Sequence, residues 1–501
     1  MALIRPDTVV LNWLLALPFF AALCAVLLPR LRLPVRSQQE AEALRRAPFF
    51  LGATASLMGL ALAISLLPSV ARGGQVTADY WWTRDLYHLR FQADVFSVPV
   101  ALVIYALALL IHLHQLGLPL LSQPHNRAAL VLTAQGCAVG TCLSADLIAL
   151  ALFLETTLVS LWLLASLDSR RSASRLLAIT HVGTLVFIGG VLLMWRCGRD
   201  TSMAALPLLL MSAEPASLRA IALLILVGLL PRVAGLPGHG WVSALAAGGP
   251  NAALVPAAFL PLVGGAALLR LLPGSVVLSV APALTPMGFV LGFAALWWGA
   301  LRACLVHELR QLAVWLTVAQ SGYLLVALGA AANPTATPEL TRAASLHLLT
   351  APLSLLTLWC GAGAIRASVG TDAVAGLSGL IHRLAIVGVA LLLGGLSLAG
   401  VPPLPGFHVQ RLLFSGLPTD GRVWLLVGIV VADVFIVVAV LDTLRRTFLR
   451  REPPPPVRWA SPWFSATLFL AAIALLVAGL WPGPLVDWTE AAFRNVLSIS
   501  P

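Results

Sequence analysis

The chain has 501 residues, of which 59% are hydrophobic and 10% charged, with a mean hydropathy of +0.95. Such a composition belongs in a bilayer, marks an all-α polytopic membrane protein and leaves no stretch for a soluble domain of useful size. A net charge of +11 could suit a nucleic-acid binder, but the arginines gather between apolar runs, where membrane topology accounts for them.

Lysine is absent, so all 31 basic residues are arginine. Arginine does not release its proton in a protein, whereas a buried lysine can. Any proton path must therefore run through His, Glu, Asp and water. The six cysteines form no metal-ligand or CxxC spacing and read as small buried hydrophobes. The first apolar run is long enough to span and lacks a basic leader, so no cleavable signal is expected.

Apolar runs of spanning length fall near 10–29, 48–68, 95–113, 128–146, 147–167, 176–196, 218–237, 252–272, 280–302, 311–330, 342–365, 384–400 with 407–418, 423–443 and 462–481. These predict about fourteen transmembrane helices, with 128–167 divided at Ser144-Ala-Asp146. Basic loops set the orientation. Arg30, Arg32, Arg36, Arg45 and Arg46, then Arg170, Arg171 and Arg175, then Arg445, Arg446, Arg450, Arg451 and Arg458 fall on one side if both termini face outward. Arg72, Arg84 and Arg90 lie opposite, accompanied by Asp79 and Asp85, and Pro453–Pro456 reads as a stiff linker.

Two stretches break the pattern. Leu218–Pro250 starts as a span, carries Arg232 inside the apolar run and breaks at Ala234-Gly-Leu-Pro-Gly-His239. Leu398-Ala-Gly-Val-Pro-Pro-Leu-Pro-Gly-Phe-His408 repeats the design. Broken backbone at membrane depth is tolerated where it packs in protein or lines a wet cavity, and paired breaks in two halves point to a transporter-type inverted repeat.

Mid-span Glu155 is a proton or ion site rather than a lone hydrogen-bond node, and Arg232 is its expected partner, because membrane carboxylates are tolerated when paired. His181, His239, His347 and His408 are the near-neutral titrating groups at depth and form a candidate relay with them. Asp433 is a further candidate, Asp442 reads as interfacial, and His112 with His114 at a span end read as interfacial snorkelling residues. No Walker loop, dinucleotide fingerprint, HExxH, haem or iron–sulfur spacing occurs, so neither a cofactor nor a metal site, and no redox centre, is expected in this chain.

Over roughly residues 90–420 these residues resemble the antiporter-like, proton-translocating membrane subunits of respiratory complex I, with relatives in multisubunit Na⁺/H⁺ antiporters and energy-converting hydrogenases. Phe153-Leu-Glu155-Thr-Thr-Leu looks like the fifth-span motif. Arg232 to Trp241 follows the seventh-span pattern of a basic residue, then Pro, His and Trp. Glu308-Leu-Arg310 leads into a span ending Gln320-Ser-Gly322-Tyr323, Leu346-His347 matches the eleventh-span helix, and Gly376-Leu-Ser-Gly379 precedes the second break. Glu308, Arg310, Gln410 and Arg411 join the candidates through this resemblance.

The resemblance implies fourteen helices, two inverted five-helix repeats and broken helices seven and twelve. It divides the chain into helices 1–3 (residues 1–126), a first repeat (127–272), a second (273–446), and a linker with the last helix (447–501). The departures are specific. Arg232 replaces a lysine, Ala351 and Leu355 stand where a second His and a Lys occur, and Gln410, beside Arg411, replaces a terminal Lys or Glu. The chain also ends about twenty residues past the last span, as the shorter family subunits do.

Three readings follow. One is a membrane-arm subunit of a complex I-like assembly taking part in proton translocation, in a bacterial inner membrane beside other integral membrane subunits. The second is a structural paralogue that seals such a complex without conducting. The third is a membrane partner of a soluble zinc enzyme in energy-driven inorganic carbon uptake; soluble redox subunits are the partners expected otherwise.

Overall fold

The computed structural model describes residues 6–31, 37–71, 73–83, 87–119, 122–198, 201–205, 214–271, 274–332, 337–417, 423–450, 453–459 and 461–497. Arg32, Arg36, Arg72, Arg84, Asp85 and Arg451 lie outside the described residues.

Each apolar run falls on a helix. In chain order they are α1 (Pro6–Leu27), α2 (Gln38–Val70), α3 (Ser97–Gly117), α4 (Pro124–Leu143), α5 (Leu147–Ser166) and α6 (Arg170–Gly198). Then come the broken pair α7 (Pro215–Leu229) and α8 (Gly240–Ala246), α9 (Pro250–Leu271), α10 (Gly274–Ala303), α11 (Leu309–Ala331) and α12 (Pro338–Val369). A second broken pair, α13 (Ile381–Leu398) and α14 (Pro405–Gly416), precedes α15 (Val423–Leu444), α16 (Pro462–Leu480) and α17 (Gly483–Leu497). Eleven helices among the described residues are long and apolar enough to cross a membrane. The chain is an integral membrane protein.

Local chemistry sets the boundaries. Asp146 divides the long apolar run 128–167 by capping the start of α5, its carboxylate accepting from the amides of Ile148 (2.8 Å) and Ala149 (3.0 Å). Gly370 closes α12 at φ 92°, a conformation that favours a residue without Cβ. Pro215 and Pro405 sit in the first turns of α7 and α14, where a missing N–H costs nothing.

Two elements were not expected. Residues 76–93 form an antiparallel hairpin, β1 (Val76–Thr83) with β2 (Tyr87–Ala93), pairing Val76 with Ala93 and slipping register between Trp81 and Thr83. Past the last span, α17 packs on α12, and Arg342 reaches Glu490 at 3.4 Å.

The interior is built by close helix approach. A Cβ on Gly288 of α10 would lie 2.6 Å from the Cα of Gly329 on α11, so backbones touch there as small residues in membranes allow. The most interior helices are α11, α12 and α9; α1, α6 and α15 turn large apolar residues outward.

Packing repeats between the halves. In the first, α5 packs on α4 and α6, α6 receives both α7 and α8, and α9 closes on α4 and α5. In the second, α11 packs on α10 and α12, α12 receives both α13 and α14, and α15 closes on α10 and α11. The turns repeat as well. Asp146, before α5, bridges to Ser202, which leads into a 3-10 turn at Met203–Ala205. Glu308, before α11, bridges to Ala373, which leads into a 3-10 turn at Val374–Gly376.

Candidate functional site

Helix α7 stops at Leu229 because Pro231 cannot continue the amide ladder. Ala234 then adopts φ 60°, left-handed backbone that costs a residue with a Cβ about 1–2 kcal/mol. The Pro231 carbonyl accepts from the Ala234 amide at 3.2 Å and from Trp241 Nε1 at 2.7 Å, and the Leu236–Pro237 peptide is cis.

This turn aims Arg232 inward, where it is fully buried. Its guanidinium donates to the Leu154 carbonyl (2.9 Å), to Thr184 Oγ1 (2.6 Å) and to Glu155 Oε2 (3.3 Å). The other Glu155 oxygen, Oε1, lies 2.6 Å from His181 Nδ1. One carboxylate is thus shared between a cation that cannot titrate and an imidazole that can. Exposure grades across the triad, with Arg232 at 0%, Glu155 at 24% and His181 at 46% of side-chain surface. The pair is sealed on one flank and open on the other.

Close contact between α6 and α7 makes this geometry possible. A Cβ on Gly228 would fall 2.5 Å from the Phe187 amide, and one on Gly183 would fall 2.5 Å from the Gly228 carbonyl oxygen. With any larger residue the Arg232 turn could not sit this close to Thr184, which lies one turn from His181 on α6.

The second break has the same outline and different chemistry. The Pro402–Pro403 peptide is cis, Pro405 starts α14, and the gap opens on a cavity with room for about one water molecule. Gln320, His347, Thr350, Ser354, Ser397 and Gln410 supply its polar lining, with Ala351 where the resemblance would place a second histidine. Ser354 and Ser397 hydroxyls meet at 2.9 Å, and His347 Nε2 lies 3.0 Å from the Gln320 carbonyl oxygen. His347 is the single titratable side chain in this lining apart from the Tyr323 phenol.

Two neighbouring residues of α11 tie the breaks together. Ser321 Oγ shares its one proton between the Val318 carbonyl of its own helix at 2.7 Å and the Ala234 carbonyl of the first break at 3.2 Å, and Gln320 Nε2 donates to the Leu398 carbonyl of the second at 3.0 Å. The Ala234 and Leu398 carbonyls both sit at helix breaks, where the ladder has no donor for them. Sequence reasoning placed Gln320 in a motif without seeing this double duty. It missed Thr184 too, though its spacing from His181 puts both on one face of α6.

The remaining candidates scatter. His239 packs its ring 6.1 Å from that of Trp315, and His408 Nε2 lies 2.7 Å from the Gly479 carbonyl on α16. Arg411 is exposed on α14, facing away from the cavity that Gln410 lines. Asp433 is buried on α15 with Oδ1 unpartnered. Glu308 and Arg310 belong to a cluster at the helix ends: Arg310 bonds Glu308 (2.6 Å) and Asp372 (2.7 Å), and Arg366 bonds Asp372 (2.9 Å). That network closes the turn bridged by Glu308 and Ala373.

The interfacial reading of His112 and His114 is corrected. Both are fully buried, because α3 lies inside the bundle, covered by α2, α4, α12 and α16.

Two helix breaks facing a common interior, a buried arginine–glutamate pair at one and a polar cavity at the other define an antiporter-like polytopic membrane protein. The chain belongs to the NADH:quinone oxidoreductase/Mrp antiporter transmembrane family, whose profile matches residues 144–436, more than half of its length. It is 26% identical to NADH-quinone oxidoreductase subunit N of Geotalea uraniireducens, over 80% of this chain and 86% of that one. It is 27% identical to a probable K⁺/H⁺ antiporter protein of Rhizobium meliloti over 90% of this chain, and spans 46% of that relative's length. The fold is similar to a chain of the Mrp complex from a Dietzia species (TM-score 0.82, 19% identity, 97% and 98% covered). It is also similar to a chain of respiratory complex I from Thermus thermophilus (TM-score 0.80, 18% identity, 97% and 99% covered).

Proposed function

We propose that this chain is a membrane-arm subunit of a complex I-like or Mrp-like assembly and takes part in coupled proton translocation. The observation that carries the reading is Glu155 held between buried Arg232 and half-exposed His181. With arginine replacing lysine, the pair can no longer pass its proton from the cation side. Proton exchange is left to the carboxylate and the imidazole, and Arg232 serves as a fixed countercharge. His239, His347 and His408 extend the relay, with Asp433, Gln410 and Arg411 as accessory groups and Glu308 with Arg310 as an end clamp.

Residues 127–272 and 273–446 are read as two inverted repeats, supported by the recurring helix contacts and by the paired turns at Asp146 and Glu308. With both termini outside a bacterial cytoplasmic membrane, those turns lie on opposite faces, as inversion requires. Other integral membrane subunits are the partners, with soluble redox subunits beyond them.

Affinity capture from gently solubilised membranes tests the assembly: redox or sister antiporter-like subunits support it, and a lone soluble zinc protein overturns it in favour of carbon uptake. Glu155→Gln tests the mechanism. Coupled proton transport in proteoliposomes falls about tenfold or more with assembly intact, a barrier change of roughly 1.4 kcal/mol or greater; undiminished transport removes Glu155 from the path. The neutral cavity at the second break favours a second reading, a structural subunit that does not conduct; absence of transport in the wild-type assembly would support it.

A further inference from the structure

Helices α2, α3 and α4 precede the residues matched by the family profile and contain a buried polar seam that neither break uses. His112 is fully buried on α3, and neither ring nitrogen has a hydrogen-bond partner. Its ring seats against Gly52 of α2, where a Cβ would lie 2.4 Å from the imidazole. One turn along α2, Ser56 Oγ shares its one proton between the Gly52 carbonyl (2.8 Å) and Gln135 Oε1 of α4 (3.2 Å). Gln135 Nε2 is buried and unpartnered, as is Gln115 Oε1 on the His112 face of α3.

Leaving one buried polar atom unsatisfied costs about 1–3 kcal/mol. Three such atoms in the seam and a fourth one turn away on α3, against an α2 surface notched to admit the ring, are poor packing material. A phenylalanine at 112 would fill the notch without that cost. Buried polar groups without protein partners are the usual seats of ordered water.

We propose that His112 is a protonatable site served by bound water in the seam between α2, α3 and α4, separate from the Glu155 site. The imidazole exchanges its proton with that water, and Ser56 and Gln135 orient it. His114 has a different place: it faces the opposite side of α3, its Nε2 3.1 Å from Asn251 Oδ1. The charged and histidine side chains on the helices packed around α3 are Glu40, Glu42, Arg45 and Arg46 on α2, His125 and Arg127 on α4, Arg270 on α9, and Glu339, Arg342, His347 and Arg366 on α12; His347 alone lies in mid-helix, Arg127 is bound to Asp168 at 2.8 Å and Arg366 to Asp372 at 2.9 Å. None bonds the His112 ring.

Histidine C2–H exchange measured by mass spectrometry on the purified full-length protein, in the assembly captured with it, reads each ring by sequence position. His112 is expected to exchange with a sigmoidal pH dependence, more slowly than the exposed His307 and His382. Ser56→Ala and Gln135→Leu should each slow it several-fold while leaving His114 unchanged. A flat, barely measurable rate at His112 would overturn the proposal, leaving a dry packed histidine. A sigmoidal rate that both variants leave unaltered overturns the seam, because water then reaches the ring without those groups. If Gln135→Leu also shifts His114, the packing has moved and the smaller Ser56→Ala change decides.

Discussion

The two helix breaks share a backbone design and differ in charge. The first holds a full ion pair whose cation is buried at 0% exposure; the second holds a polar cavity lined by amides, hydroxyls and one histidine. A broken helix at membrane depth has unsatisfied backbone to cover, and this chain covers it in two ways. At the first break Trp241 and Ser321 cover the Pro231 and Ala234 carbonyls while the turn also presents a charge, and the pair must stay complete because one partner alone is an uncompensated charge in low dielectric. At the second, amides and hydroxyls line the gap and Gln320 covers the Leu398 carbonyl. The contrast teaches that break geometry and proton chemistry are separable: the fold keeps the former where the titratable residues have changed.

Arg232→Ala should have the largest effect. It strands Glu155 beside His181 and is expected to cost about 3–5 kcal/mol, read as a lowered melting temperature in detergent. Arg232→Ala with Glu155→Gln should recover most of that loss; equal instability of single and double variants would break the view that the first break depends on pairing.

Gly228→Ala comes next. Its Cβ meets the Phe187 amide at 2.5 Å, so α6 and α7 must part, at about 1–3 kcal/mol for such overpacking. Transport should fall as well, because the shift pulls Arg232 from Thr184. A variant as stable and active as the wild type would show that the close approach is dispensable.

Gln410→Glu sharpens the contrast from the other side by placing a near-isosteric titratable group in the second cavity. A cost of about 1–2 kcal/mol is expected, in line with burying a polar group that is partly hydrogen-bonded. The pH profile of transport should differ from that of the wild type; an unchanged profile would mean that the second cavity lies off the path.

Ser321→Ala is the mildest. It removes the hydroxyl donor to the Ala234 carbonyl while Gln320 still holds Leu398, for about 0.5–1.5 kcal/mol. A double-mutant cycle with Gln320→Leu measures whether the two breaks are tied through α11: additive losses would say that each bond serves its own break.

Much of this was legible in the chain. Apolar run length located the spans, because bilayer thickness fixes how many residues a helix needs. The split at Ser144–Asp146 followed from a run too long for one helix, and the breaks followed from proline and glycine, whose backbone limits act locally. Glu155 and Arg232 could be paired in advance because a membrane interior leaves a lone charge few alternatives.

What only the tertiary structure decided concerns residues that are ordinary in their own segments. Nothing local marks Thr184, Leu154 or Ser321 as partners of a break, since each is recruited by a helix far away in sequence. His112 and His114 sit near a span end, which suggested an interface, but neighbouring helices bury that end completely. The hairpin at 76–93 and α17 depend on what they pack against, and periodicity says little about elements held by long-range contact. Sequence patterns report local backbone and solvent preference; hydrogen bonds to exposed carbonyls and the sharing of one carboxylate between two bases are set by which helices meet.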